Sequence, residues 1–309
     1  MKLKVNNGLI LDIDRFSSPD GPGVRSTVFV KGCPLKCIWC HSPESQGTKP
    51  QVFYLSMKCK ACFVCVSACP NNAIKPNMEA AKVYIDRTKC NLCGTCAQVC
   101  ASKAIRMGGF KATVGDIFSI VVKDKAYFKN SGGGVTLSGG EPFMQPDFSF
   151  NFLKACKDEG IHTAIETSGF GTEEAAYGIA TMTDLVFYDI KALDPDEHKK
   201  FTGVSNEIIL SNLEKLCKDD AIREKIVIRI PCIPSLNDSE YQIMHIAHYV
   251  AGLGLKRIEL LMYNEMAGAK YEWVGEKYKL EGTKTQSNEY FEKLKSICVA
   301  EGLAILNYK

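Results

Sequence analysis

Residues 30–46 read VKGCPLKCIWCHSPESQ, with cysteines at 33, 37 and 40. The gaps are three residues and then two. A closed structural zinc site takes four ligands, and a disulfide framework takes an even number of thiols. Three thiolates instead suit a metal centre that keeps one coordination position free. The surrounding chain narrows the choice. It has 309 residues, 46% of them hydrophobic and 24% charged, as in a globular protein of one large and one small domain. A net charge of +3 is too small to argue for nucleic acid or a membrane surface. No apolar run reaches the roughly 18 residues of a membrane span. Asp12 and Asp14 interrupt the N-terminal MKLKVNNGLILDIDRF, so no signal-peptide core is read there. A cytoplasmic protein is expected, and there fifteen cysteines point to metal ligation rather than disulfides.

Eight of those cysteines form a repeat. KCKACFVCVSACPNNAIKP starts at Lys58 and KCNLCGTCAQVCASKAIRM at Lys89, so Cys59, Cys62, Cys65 and Cys69 recur 31 residues later as Cys90, Cys93, Cys96 and Cys100. Each copy is C-x2-C-x2-C-x3-C, and Pro70 of the first copy is Ala101 in the second. The array resembles the bacterial two-cluster ferredoxin, in which the fourth cysteine of each run ligates the other cluster. The resemblance implies one 4Fe–4S cluster on Cys59, Cys62, Cys65 and Cys100, and another on Cys90, Cys93, Cys96 and Cys69. Two zinc knuckles are the competing reading, but doubled arrays with three-residue closing gaps suit cubanes better. Cys156, Cys217, Cys232 and Cys298 remain; most read as buried apolar thiols, and Cys232, in IRIPCIPS, lies near a candidate site.

Beyond the repeat, short Val/Ile/Leu runs alternate with amphipathic segments. Strand-like stretches at 25–32, 134–140, 161–169, 184–191, 225–234 and 256–263 alternate with helix-like 146–159, 172–180, 206–218, 239–252 and 287–301. The pattern predicts an α/β fold with a parallel sheet and crossover helices, an open partial (β/α)6 barrel. The ferredoxin-like segment reads as an insert, with residues 1–51 and 108–309 forming the barrel and residues 52–107 the two-cluster domain. Such a short domain needs its clusters to be stable. A barrel of this kind works at the C-terminal ends of its strands. The triplet, SGGEP (138–142), ETSG (166–169), DIK (189–191) and RIPCIP (229–234) all fall at or near those ends.

The triplet with Trp39 just before its third cysteine resembles the radical S-adenosylmethionine (SAM) superfamily. With DGPGVRSTVF (20–29), WCHSPES (39–45), FTGVSN (201–206) and the 260–282 segment added, the chain resembles the glycyl radical enzyme activating enzymes. The subgroup is the one with a two-cluster insert. The resemblance implies three 4Fe–4S clusters, with Cys33, Cys37 and Cys40 as the catalytic set whose open iron takes SAM. One electron then cleaves SAM, and the 5′-deoxyadenosyl radical removes a Cα hydrogen from a glycine of a partner glycyl radical enzyme. A flavodoxin or ferredoxin-type donor is expected, and neither nucleic acid nor membrane is.

Carried over by position, Gly139, Gly140 and Glu141 belong to the segment that receives the SAM amino group. Asp189, Lys191 and Arg229 hold its polar ends, and Trp39 lies near adenine. Glu166 and Thr167 offer oxygens for a ribose or a small monovalent cation. One departure stands out: many relatives have histidine where this chain has Asn264, which cannot titrate near neutrality, and Met262 replaces a proline. A radical SAM enzyme acting on a small molecule, and a plain electron carrier, are the competing functions. The carrier leaves the triplet and SGGEP unexplained.

Overall fold

Two antiparallel strands, β1 (Asn7–Ser17) and β2 (Arg25–Val30), open the structure, a computed structural model that describes residues 7–308. Four short strands follow in the cysteine-rich region: β3 (Gln51–Tyr54), β4 (Ile74–Asn77), β5 (Lys82–Ile85) and β6 (Ile105–Gly108). They form two separate two-stranded sheets, β3 with β6 and β4 with β5. The main sheet resumes with β7 (Phe110–Thr113), β8 (Gly134–Gly139), β9 (His162–Thr167), β10 (Leu185–Asp189), β11 (Ile226–Cys232), β12 (Arg257–Met262) and β13 (Ala304–Ile305). Its order is β13-β12-β11-β10-β9-β8-β2-β1-β7. The run from β2 through β8 to β12 is parallel throughout, which is the expected partial barrel of six strands.

Three strands were not expected. β13 adds a two-residue parallel edge, and β1 with β7 adds an antiparallel edge beside β2. β7 and β13 are too short to carry a pattern of their own. The sheet does not close on itself, since β2 and β12 are not neighbours.

Side chains alternate between the two faces of each strand. One face, with Val28, Leu137, Ile165, Val186, Ile228 and Ile258, packs with Phe152, Ile179, Leu213, Ile246 and Leu294 of the crossover helices into the main core. Helix starts are fixed by side chains: Thr172 accepts from the Ala175 N–H, and Ser239 and Gln242 cap each other. The opposite, luminal face has an apolar base. There Ala164, Leu185, Phe187 and Val227 meet Leu306 and Tyr308 of the C-terminal segment.

After β7 come two helices, Val114–Val121 and Lys125–Ser131, with a tight turn at Val122–Asp124. The break turns Asp124 inward, where its carboxylate accepts from Arg15 and from Ser26 Oγ at 2.7 Å. A further helix, Pro195–Thr202, was not anticipated. It is capped by Asp194 and stopped at Gly203, whose φ is +84°.

The insert repeats in backbone as it does in sequence. Ala61, Phe63 and Asn72 have φ of 53°, 54° and 49°, and their counterparts Leu92, Gly94 and Lys103 have 63°, 80° and 55°. Its helices, Val64–Ser67 and Thr95–Gln98, are four residues each. Among the described residues no helix is long and apolar enough to cross a membrane.

Candidate functional site

The loop after β2 carries Cys33, Cys37 and Cys40, and its backbone is tied down on three sides. Gly32 and Cys33 N–H groups donate to Ser45 and Gln46 carbonyls at 2.7 and 3.0 Å. Lys36 and Ile38 donate to Thr202 and Phe201 at 2.6 and 3.0 Å. From the next strand, the Gly140 and Glu141 N–H groups donate to Val30 and Gly32 carbonyls, each at 2.8 Å. Gly139 has φ +102°, and a side chain at Gly140 would run into the Gly32 carbonyl. Only glycine permits that close approach, so the SGGEP backbone lies directly against the cysteine loop.

The three thiols lie close enough to act on one another's protonation. Burial, with Glu141 and Cys37 nearby, pushes the Cys33 thiol up; burial likewise pushes Cys37 up to about 12 and raises Cys40. Thiols held neutral by burial must shed protons to bind a metal, and a metal centre supplies the compensating positive charge. Lys191 is the adjacent cation. Burial alone would lower its pKa, but the Asp189 carboxylate, by charge and by hydrogen bond, opposes burial, and the net shift is upward. Its ammonium donates to Asp189 Oδ2 at 2.7 Å. Asn237 fixes the turn by donating to the Lys191 carbonyl at 2.8 Å.

Deeper in the lumen, Arg229 is fully engaged. Its guanidinium donates to Glu259 at 2.7 Å and to Glu166, and lies 3.5 Å over the Phe187 ring. Glu166 also accepts from Ser138 Oγ at 2.5 Å. The Glu141 carboxylate turns into the protein, where it accepts from Phe143 and Ser168 N–H groups and from the Thr167 and Ser168 hydroxyls. Glu141 and Thr167 thereby lock the β8 and β9 ends to each other. Trp39 is buried among Phe201, Ile233, Tyr263, Tyr271 and Tyr278. Cys232 turns away into the helix-facing core. Asn264 accepts from the Met266 N–H and starts the turn over Glu265–Lys270.

The sequence reading missed Glu259, Ser138, Asn237 and Tyr271. Glu259 had a signal: it interrupts the apolar strand RIELLM and pairs in register with Arg229. The others depend on contacts between distant segments.

In the insert, the eight cysteines line two cavities. One cavity is lined by Cys69, Cys90, Cys93 and Cys96, and the second by Cys59, Cys62, Cys65 and Cys100. Each set thus surrounds a space rather than converging on one atom, and among the described residues no three His, Cys, Asp or Glu close on a single metal ion. Four thiols around a cavity match the donor set of a 4Fe–4S cluster.

Residues 88–247 match the radical SAM superfamily and residues 58–104 a 4Fe-4S dicluster domain. The chain is 41% identical to the trans-4-hydroxy-L-proline dehydratase activating enzyme of Clostridioides difficile, over 94% of this chain and 96% of the relative. It is 38% identical to the choline trimethylamine-lyase activating enzyme of Oleidesulfovibrio alaskensis, over 93% and 94%. It is 36% identical to the indoleacetate decarboxylase activating enzyme of Tractidigestivibacter scatoligenes, over 96% and 95%. A radical SAM methyltransferase from Sphaerobacter thermophilus shares the fold, with TM-score 0.52 at 12% identity, covering 91% of this chain and 65% of its own.

Proposed function

The chain belongs to the radical SAM superfamily and, within it, to the glycyl radical enzyme activating enzymes, and from that premise we propose the roles of its residues. It activates a glycyl radical enzyme by reductive cleavage of SAM and removal of a glycine Cα hydrogen, and it uses iron–sulfur clusters. Three clusters are proposed, about twelve irons per chain, on eleven cysteines in sets of three, four and four. The cluster on Cys33, Cys37 and Cys40 supplies, when bound, the single electron that breaks a sulfonium C–S bond.

The chain's own residues do the positioning. Lys191, kept charged by Asp189, neutralises the SAM carboxylate beside the thiolates. The close-packed backbone at Gly139 and Gly140 takes the amino group. Arg229 and Glu166 shape the lumen wall on which the ribose rests, and Glu141 and Thr167 act as braces behind it. Trp39, packed on Phe201 with ring centroids 5.9 Å apart, backs the adenine end. Residues 52–107 relay electrons from a flavodoxin or ferredoxin-type donor. The open side of the sheet admits a glycine-bearing loop of the partner protein, since glycine has no side chain to obstruct the approach.

The observation that carries this reading is the meeting of three half-buried thiols with the Lys191 ammonium and the glycine backbone at one end of the parallel strands. Electron paramagnetic resonance tests it. A glycyl doublet should form on the partner with the wild-type protein and not with Cys37→Ala, and SAM should stay intact in the variant. Full SAM cleavage by folded Cys37→Ala would overturn the assignment.

A further inference from the structure

The chain enters and leaves the insert at one end, while Phe53 on β3 and Leu55 just after it also pack with Leu11, Trp273 and Val274 of the barrel. Gln51 and Gly108 are paired where the chain enters and leaves it, and Lys31, two residues before Cys33, donates to Gln51 Oε1 at 3.0 Å. Val52 and Gly94, next to this tether, line the cavity of Cys69, Cys90, Cys93 and Cys96. Tyr54, Ala104 and Ile105, at the far end of the β3–β6 pair, line the cavity of Cys59, Cys62, Cys65 and Cys100. Two equal copies in sequence are therefore unequal in place.

A short stretch, residues 270–275, spans the gap on the tethered side. Lys270 pairs with Glu44 of the triplet loop at 2.8 Å, and the Tyr271 hydroxyl reaches the Cys37 carbonyl at 3.5 Å. At its other end stands Arg87, three residues before Cys90. One guanidinium nitrogen donates to the Val52 carbonyl at 2.9 Å and another to the Trp273 carbonyl at 3.0 Å. Gly275, at φ +74°, makes room for it: a side chain there would lie 2.7 Å from Arg87 Nε.

We propose that the two insert clusters act in series. The set Cys69, Cys90, Cys93 and Cys96 is the inner one, facing the triplet across residues 270–275. The set Cys59, Cys62, Cys65 and Cys100 is the entry, and Arg87 is the positioning residue that fixes the inner cluster against the barrel. This rests on the relay role proposed above. When loaded, the two cysteine sets would hold the groups that pass one electron from a reduced carrier of the flavodoxin or ferredoxin class toward the triplet. There the electron would break the sulfonium C–S bond of SAM, giving methionine and the 5′-deoxyadenosyl radical.

The test uses the full, anaerobically reconstituted chain, with freeze-quench paramagnetic resonance of the triplet cluster as readout. Arg87→Ala should keep its iron and be reduced normally by dithionite, but measurably more slowly by reduced flavodoxin. Arg87→Lys should be nearly as slow, because one ammonium cannot bridge both carbonyls as the planar fork does. Wild-type flavodoxin rates in Arg87→Ala would overturn the positioning role. In the fully reduced protein, spin–spin broadening of the triplet signal should vanish in Cys93→Ser and persist in Cys62→Ser. The reverse would overturn the order alone. Wild-type flavodoxin reduction in a folded Cys62→Ser/Cys93→Ser protein would instead sink the relay reading itself.

Discussion

The triplet loop and the insert both present cysteines, yet they are framed differently. Around Cys33, Cys37 and Cys40 the backbone is held by Ser45 and Gln46, by Phe201 and Thr202, and by Gly140 and Glu141. None of those partners needs a metal to be in place. In the insert the framing is thin: strands and helices of four residues, with cysteines themselves as core material. Cys65 and Cys96 pack there with Val52, Ile74, Val83, Ile85 and Ile105. Ala61, Phe63, Asn72, Leu92 and Lys103 also hold left-handed backbone, at about 1 kcal/mol or more each. A domain of that size and strain leans on its metal. The comparison teaches that the barrel prepares its metal site, whereas the insert is prepared by its metal.

Iron removal should break the symmetry most visibly. In the apoprotein, amides of residues 52–107 should exchange at least about a hundredfold faster, equivalent to about 2.8 kcal/mol of lost local stability. Strands β8 to β11 should keep their protection. Hydrogen exchange read by mass spectrometry checks this, and equal loss in both regions would void the contrast.

Within the barrel, Glu259→Gln should cost about 3 kcal/mol, because it leaves the buried Arg229 with one carboxylate partner instead of two. Urea unfolding of the barrel should report it while the iron content of the insert stays constant. A loss below about 1 kcal/mol would mean that the luminal charges frame nothing.

Gly140→Ala sharpens the point at the triplet itself. The added methyl meets the Gly32 carbonyl, so the loop must shift; a loss of about 2 kcal/mol is expected, with weaker SAM binding. Thermal unfolding and equilibrium binding of SAM measure the two effects. Unchanged SAM affinity would show that the loop tolerates displacement.

The smallest effect concerns the β1 edge. Arg15 first, and then Ser26, hold the Asp124 carboxyl below its ordinary 3.8, although burial opposes them. A lowered folded pKa gives stability that is present above the ordinary value and is lost only as pH falls through the lowered one. Asp124→Asn should therefore cost about 1.5 kcal/mol, and the gap to wild type should stay flat from about pH 8 to about pH 5. A gap that closes between those values would contradict the assignment.

Where the two regions differ in framing, they also differ in how far the sequence reveals them. The doubled cysteine run is plain as a repeat, and the same repeat returns in the left-handed backbone positions of the two copies. The six parallel strands are equally plain from their Val/Ile/Leu runs, and the glycines of SGGEP mark a close approach. The frame of the triplet is not visible in the same way. Thr202, Tyr271 and Asn237 come from segments far along the chain, and their roles appear only when strand order and register are fixed. Arg229 and Lys191 were legible as inward charges, but Glu259, the second carboxylate on Arg229, was not singled out.

The fate of the four thiols outside the three sets has a chemical consequence. Cys156, Cys217, Cys232 and Cys298 all lie in the helix-facing core, on the far side of the sheet from the lumen. A free S–H is a ready hydrogen-atom donor, so a thiol lining the lumen would quench a carbon radical before it met its target. Among the described residues these four are shielded by the sheet itself. Three of them sit on or at the end of crossover helices and Cys232 points outward from β11, so the helix layer behind the sheet also keeps these thiols away from a reactive species in the lumen.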